Sequence, residues 1–189
     1  YDGAGNRVRK VAERYLNQGA VLEIEDKLYL GDLEIKRLKR KTNQGVTTIL
    51  ERQTLYVTDD KRRIALAHHW TKDDRQQETD QVGKRRLHYQ LSNHLGSCSL
   101  ELDGDAEIIS YEEYFPYGGT SIVTGEQERE VKLKDYRYCG KERDDSTGLY
   151  YFGARYYAPW LGRWLSCDPA GEADGPNPYI YVRNSPLNL

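Results

Sequence analysis

A chain of 189 residues is enough for one domain or for a piece of a larger assembly. Its 28 Lys and Arg against 30 Asp and Glu give a formal net charge of -2, and the interspersed signs argue against a nucleic-acid binder, which carries a basic surplus on one face. Charged residues reach 31%, which raises the question of disorder, but 16 Tyr, 3 Trp and 2 Phe answer it: so much ring surface belongs in partly wet β-sheets, not in a solvating tail. No stretch is long and apolar enough to span a membrane. The sequence opens on Tyr1 and contains no Met, so the native start is expected to lie elsewhere.

In chain order, alternating segments are separated by Gly, Asn and Asp. Leu22 to Tyr29 runs to Gly31, Leu33 to Leu38 follows, and Asn43-Gln44-Gly45 marks a polar turn before Val46 to Val57. In Ile64 to Trp70 the even residues Ile64, Leu66, His68 and Trp70 fall on one face, the period of a half-buried strand. Lys72 to Lys84 is charged and nearly free of apolar residues, so it reads as an exposed loop, as does Thr124 to Glu130. From Leu87 the rhythm tightens, and Asp103-Gly104 between alternating runs predicts a hairpin. The last third is dense in rings, from Tyr136 to Trp164, which suits cross-strand ladders. No convincing helical period appears anywhere. The expectation is an all-β chain of antiparallel hairpins.

Cys98, Cys139 and Cys167 are widely spaced and odd in number, so they predict reduced thiols, half-buried in strands, and no disulfide framework. His68 and His69 point to opposite faces of a strand and make no ligand spacing with His88 and His94. No metal and no cofactor is expected. On residue chemistry alone, Asp168 before Pro169 reads as a turn cap.

Several segments carry a resemblance. Tyr1-Asp2-Gly3-Ala4-Gly5-Asn6-Arg7 looks like a tyrosine-aspartate repeat. Asn93-His94-Leu95-Gly96-Ser97 resembles a repeat turn that usually begins with Asp, and Tyr111 to Gly118 resembles the segment that follows it. The stretches Tyr138 to Asp144, Thr147 to Tyr157, Leu161 to Gly171 and Asn177 to Leu189 are similar to the RHS-repeat-associated core. Together they cover the second half of the chain closely and the first half loosely. The chain thus resembles the YD-repeat (RHS) family, and in wording is most like the C subunit of insecticidal toxin complexes.

That resemblance implies a curved antiparallel YD-repeat sheet, part of a hollow β-spiral shell, with residues 1–130 as a shell segment and 131–189 as the associated core. It implies a secreted toxin, a shell wrapped around the protein's own C-terminal toxin cargo, and a B-type shell subunit as partner, while the charge balance predicts no nucleic-acid partner. It also implies an aspartic self-cleaving site in which Asp168 is one carboxylate, the second standing in another Asp-Pro-x-Gly beyond residue 189. A fragment ending at Leu189 is then expected to be inactive. Arg163 either orients the carboxylates or is an ordinary sheet-surface residue, while Glu172 and Asp174 are not expected to supply the missing acid. The alternative is a teneurin-like or other surface adhesion or carbohydrate-binding protein of the same fold, without catalysis.

Overall fold

Three turns of the chain are built alike, and each begins with a side-chain carbonyl or carboxylate oxygen. Asp2 Oδ1 accepts the backbone N–H of Ala4 and of Asn6 at 3.0 and 2.8 Å. Asn93 Oδ1 does the same for Leu95 and Ser97, both at 3.0 Å, and Asp103 Oδ1 for Asp105 and Glu107, both at 2.9 Å. In each, the first residue also exchanges backbone bonds with the fourth and fifth. The fourth residue is left-handed: Gly5 at φ 79°, Gly96 at 77° and Ala106 at 65°. Only one acceptor oxygen is required, so Asn serves as well as Asp.

The computed structural model describes residues 1–59, 62–75, 82–125, 131–171 and 175–188. The chain divides into two units, one of residues 1–59 and 63–87, the other of residues 60–62 and 88–189. The first carries β1 (Arg9–Leu16), β2 (Val21–Leu30), β3 (Leu33–Thr42), β4 (Gly45–Asp59) and β5 (Arg62–Asp73). The strands are longer than the alternation alone suggested, and β1 was not apparent in the sequence. Gly31-Asp32 forms a two-residue turn that sets Leu30 opposite Leu33, with Gly31 at φ 66°. The segment Lys72 to Lys84 begins inside β5, and its residues 76–81 lie outside those described. Thr124 likewise ends a strand, and residues 126–130 lie outside the described residues.

The low hydropathy of this unit has a structural counterpart, because its strands are joined by ion pairs. Asp26 accepts from Arg9 at 2.7 Å and from Lys39 at 2.8 Å. Glu23 takes Arg14 at 2.7 Å and Arg40 at 3.4 Å, and Arg37 meets Glu51 at 2.6 Å. Lys27 and Glu34, both buried, pair at 2.8 Å. Desolvation offsets most of what such a buried pair contributes, but a one-residue slip would leave its charges unpartnered, so the pair enforces register. The apolar interior is small, comprising Leu50, Ala65, Leu66 and Trp70. His68 is a buried core histidine, with Nδ1 2.9 Å from Thr54 Oγ1.

The hydrogen bonds from Arg9 hold the Asp26 carboxyl at about 2, against the opposing effect of burial and with help from Lys39. A carboxyl lowered on folding contributes stability above its unfolded value of 3.8 and loses it as pH falls through the folded one. Thermal unfolding should therefore show stability draining between about pH 4 and pH 2. In Asp26→Asn that slope should be shallower; an unchanged slope would mean that other carboxyls carry it.

The strand β6 (Arg85–Ser92) belongs to the first unit up to Leu87 and to the second from His88, and the second unit then carries β7 (Cys98–Leu102), β8 (Ile108–Tyr114) and β9 (Thr120–Thr124). Four short strands follow: β10 (Glu142–Arg143), β11 (Tyr150–Tyr151), β12 (Tyr156–Ala158) and β13 (Arg163–Trp164). Every strand pair with a recorded register is antiparallel. The chain is thus all-β, and among the described residues the helical segments are short 3-10 turns.

The buried face of β6 to β8 is polar. Glu101 receives Gln90 Nε2 at 2.8 Å and Ser110 Oγ at 2.6 Å. Glu112, fully buried, is gripped by Lys134 at 3.2 Å, Arg137 at 3.0 Å and Thr120 at 2.6 Å. Burial pushes the Glu112 carboxyl up, but Arg137 and Lys134 outweigh it and the net shift is downward. Lys134 also donates to the Cys98 carbonyl at 2.6 Å, so the segment before β10 is tied to both β7 and β8. The cysteines are free, as expected, but only Cys98 is a strand residue: Cys139 lies in a 3-10 turn, and Cys167 is exposed.

Candidate functional site

Register determines which rings meet. Tyr150 stands opposite Tyr157, and Tyr157 opposite Trp164, so three strands place aromatic residues on one face. Tyr138, Phe152 and Tyr181 complete this cluster, with Tyr157 and Tyr181 at 4.1 Å between ring centroids. Rings this large enclose a core where aliphatic residues are scarce, provided that each phenol finds a partner. The Tyr138, Tyr157 and Tyr150 hydroxyls donate to the consecutive carbonyls of Pro116, Tyr117 and Gly118 at 3.0, 2.8 and 3.2 Å. Gly118 is required here: its φ is 85°, and a Cβ would meet the Tyr138 ring at 2.5 Å. Burial pushes the Tyr138 phenol up to about 12 and raises those of Tyr150, Tyr157 and Tyr181. The Tyr138, Tyr150 and Tyr157 hydroxyls are thus held as donors to the backbone.

The ionic site lies beside this cluster. The turn Gly153-Ala154 between β11 and β12, with Gly153 at φ 87°, delivers Arg155. Its guanidinium lies 4.1 Å from the centroid of the Trp164 ring, a cation–π contact that limits its rotamers. From there Arg155 Nη2 reaches Asp168 Oδ2 at 2.7 Å, with both side chains largely buried. Arg155 Nη1 also donates to the Pro178 carbonyl at 3.4 Å.

Asp168 begins a turn as Asp2, Asn93 and Asp103 do, through its first four residues. Its Oδ1 accepts the Ala170 N–H at 2.9 Å, Gly171 N–H returns to its carbonyl at 3.0 Å, and Gly171 is left-handed at φ 73°. The two readings of Asp168 are thus compatible, because one oxygen caps the turn while the other meets Arg155. Asp168 N–H donates to the Pro178 carbonyl at 3.0 Å, and Trp164 N–H to the Tyr179 carbonyl at 3.0 Å. Residues 178–181 therefore form a strap across the site.

Arg163 is placed differently. It is exposed, bridges to Ile180, and holds its guanidinium 4.8 Å from the Tyr179 ring centroid. Asp168 and Arg163 thus lie on the two ends of one short segment, but the ion-pair partner of Asp168 is Arg155, which the sequence did not single out. Glu172 and Asp174 lie outside the described residues. Among the described residues no group of three or more His, Cys, Asp or Glu could hold a metal ion, and no helix is long and apolar enough to cross a membrane.

No family model matches the chain. It is 42% identical over 189 residues to the toxin subunit YenC1 of Yersinia entomophaga, an alignment that covers the whole chain and 18% of that protein. It is 30% identical over 204 residues to the tRNA3(Ser)-specific nuclease WapA of Bacillus spizizenii, covering 99% of the chain and 9% of that protein. A crystal structure of TcdB2-TccC3 without its hypervariable C-terminal region superposes on the whole chain with a TM-score of 0.87 at 39% identity, over 8% of that longer chain. The chain therefore spans less than a fifth of each of these proteins.

Proposed function

We propose that this chain, a YD-repeat protein related along its whole length to the C subunits of toxin complexes, forms part of a shell around a C-terminal toxic cargo and carries one carboxylate of a site that cuts the cargo free. In this reading residues 1–130 build shell wall and residues 131–189 the cleavage core. The relatives fit such a role, since they include a toxin subunit and a nuclease whose names declare the activity. A solved relative forms a complex described as TcdB2-TccC3, so a B-type subunit is the proposed shell partner. Secretion follows from the same assignment.

The observation that carries the cleavage proposal is the ion pair of Asp168 with Arg155, set on an Asp-Pro-x-Gly turn beneath a backbone strap. A turn cap requires only Oδ1. An arginine stacked on Trp164 and aimed at Oδ2 fixes the second oxygen as well. Asp168, ion-paired, is the proton acceptor. A second carboxyl from a later Asp-Pro-x-Gly would bring the proton that two adjacent acids share. A water molecule attacks the carbonyl carbon of the scissile amide as Asp168 takes its proton. The C–N bond breaks, and the neutral acid protonates the departing nitrogen, leaving a carboxylic acid and an amine. A fold that presents its own peptide bond to the pair needs one turnover, so positioning supplies most of the rate.

In a protein extended past Leu189 through the next such motif, one band should become two on a denaturing gel. Asp168→Asn, which fills the same volume but cannot accept the proton, should leave a single band and an unchanged fold. Arg155→Ala should slow cleavage more than Arg163→Ala. Wild-type cleavage by Asp168→Asn would return Asp168 to a turn cap and end the peptidase assignment.

A further inference from the structure

Beyond Asp168, the strap continues into a backbone conformation that ordinary residues avoid. Val182, Arg183 and Asn184 have φ of 41°, 52° and 60° in succession. None is glycine, and the first is β-branched, the least tolerant type in this region. In each such residue Cβ crowds the following carbonyl oxygen, so the surroundings must enforce the turn. The enforcing groups are visible on both sides. Tyr181, 3% exposed, is locked among Tyr157, Trp164, Phe152 and Tyr138. Asn184 N–H then donates to the Tyr181 carbonyl at 2.9 Å, and Ser185 N–H to that of Val182 at 2.9 Å. Pro186 is buried again after the exposed pair Arg183 and Asn184.

We infer that Tyr181 and the left-handed turn Val182–Asn184 are positioning elements for self-cleavage, fixing the direction in which the following chain approaches Asp168 and Arg155. The inference rests on the peptidase reading above. Two independent features support it. The strap touches the ionic site at Pro178, whose carbonyl receives both Asp168 N–H and the Arg155 guanidinium. Three residues later it is buried at Tyr181, so the path between the acid and the turn has little freedom.

The test uses the extended protein with paired substitutions at exposed Asn184. Asn184→Gly keeps the left-handed conformation at no steric cost and should cleave at about the wild-type rate. Asn184→Pro fixes φ near -65° and removes the N–H bonded to Tyr181. It should cleave at least about tenfold more slowly, or at a displaced bond, as intact mass would reveal. Near-ultraviolet circular dichroism from the aromatic cluster reports whether the fold around Tyr181 persists. If that signal is lost, Tyr181→Phe and Tyr181→Ala give the same comparison, the ring-preserving change cleaving and the truncation not. Asp168→Asn in parallel separates the two ideas. If it is inactive while Asn184→Pro cuts the native bond at the wild-type rate, the positioning inference fails and the peptidase reading stands. If Asp168→Asn cuts normally, both fall.

Discussion

Glu112→Ala should destabilise the second unit by about 3–5 kcal/mol, the cost of leaving buried charge without its partner. The carboxylate is fully buried, and so is Lys134, while Arg137 is nearly so. Neither cation can reach water without moving the segment that holds it, since Lys134 is also bonded to the Cys98 carbonyl and Arg137 Nε to the Lys134 carbonyl. Removing the acid thus strands two cations, and the damage exceeds the net contribution of the cluster. Urea denaturation measures the loss. The double change Glu112→Ala with Lys134→Ala should cost clearly less than the sum of the two singles, because one stranded charge is then gone. A loss below about 1 kcal/mol for Glu112→Ala would show that the site relaxes or admits water, contrary to this account.

Tyr157→Ala should cost about as much, 3–5 kcal/mol, through a different mechanism, the opening of a cavity. Tyr157 is completely buried and touches Tyr181, Trp164, Phe152 and Tyr138. Its hydroxyl donates to the Tyr117 carbonyl at 2.8 Å. Tyr157→Phe keeps the ring and loses only that bond, so about 0.5–1.5 kcal/mol is expected. The ordering separates packing from pinning: equal losses for the two substitutions would mean that the hydroxyl, not the ring, holds the unit together.

The turns were the most legible part of the sequence, because a short acceptor followed by a left-handed residue acts locally. Tyr1 to Arg7 and Asn93 to Ser97 were singled out by their resemblance to repeat segments, and the acceptor chemistry of Asp2 and Asn93 is its physical content. At Asp103 the hairpin was correctly placed, but Asp103-Gly104 opens a five-residue turn rather than forming a two-residue one. The ion-pair ladders were not legible, since which charges meet depends on register, and the polar composition hinted only at a thin core. Arg155 was missed for a similar reason. Arg163 is closer to Asp168 in sequence, but it adjoins Trp164 on a strand, and neighbours on a strand leave by opposite faces. The arginine stacked on Trp164 is therefore the one that shares the side of Asp168. That selection becomes visible only once β12 and β13 are paired.

Within each unit, successive long strands pair with their neighbours in the sequence: β1 with β2, β2 with β3 and β3 with β4 in one; β6 with β7, β7 with β8 and β8 with β9 in the other. Such local pairing needs no distant segment, so each hairpin can close soon after it leaves the ribosome. The aromatic cluster obeys a different schedule, because it unites Leu95, Tyr138, Tyr150, Tyr157 and Tyr181. It remains open until translation has passed Tyr181, when the strap and its ionic site are drawn together. The order of synthesis then acts as a timer: the hairpins pair first, and the residues around Asp168 come together only after the chain through Tyr181 has been made.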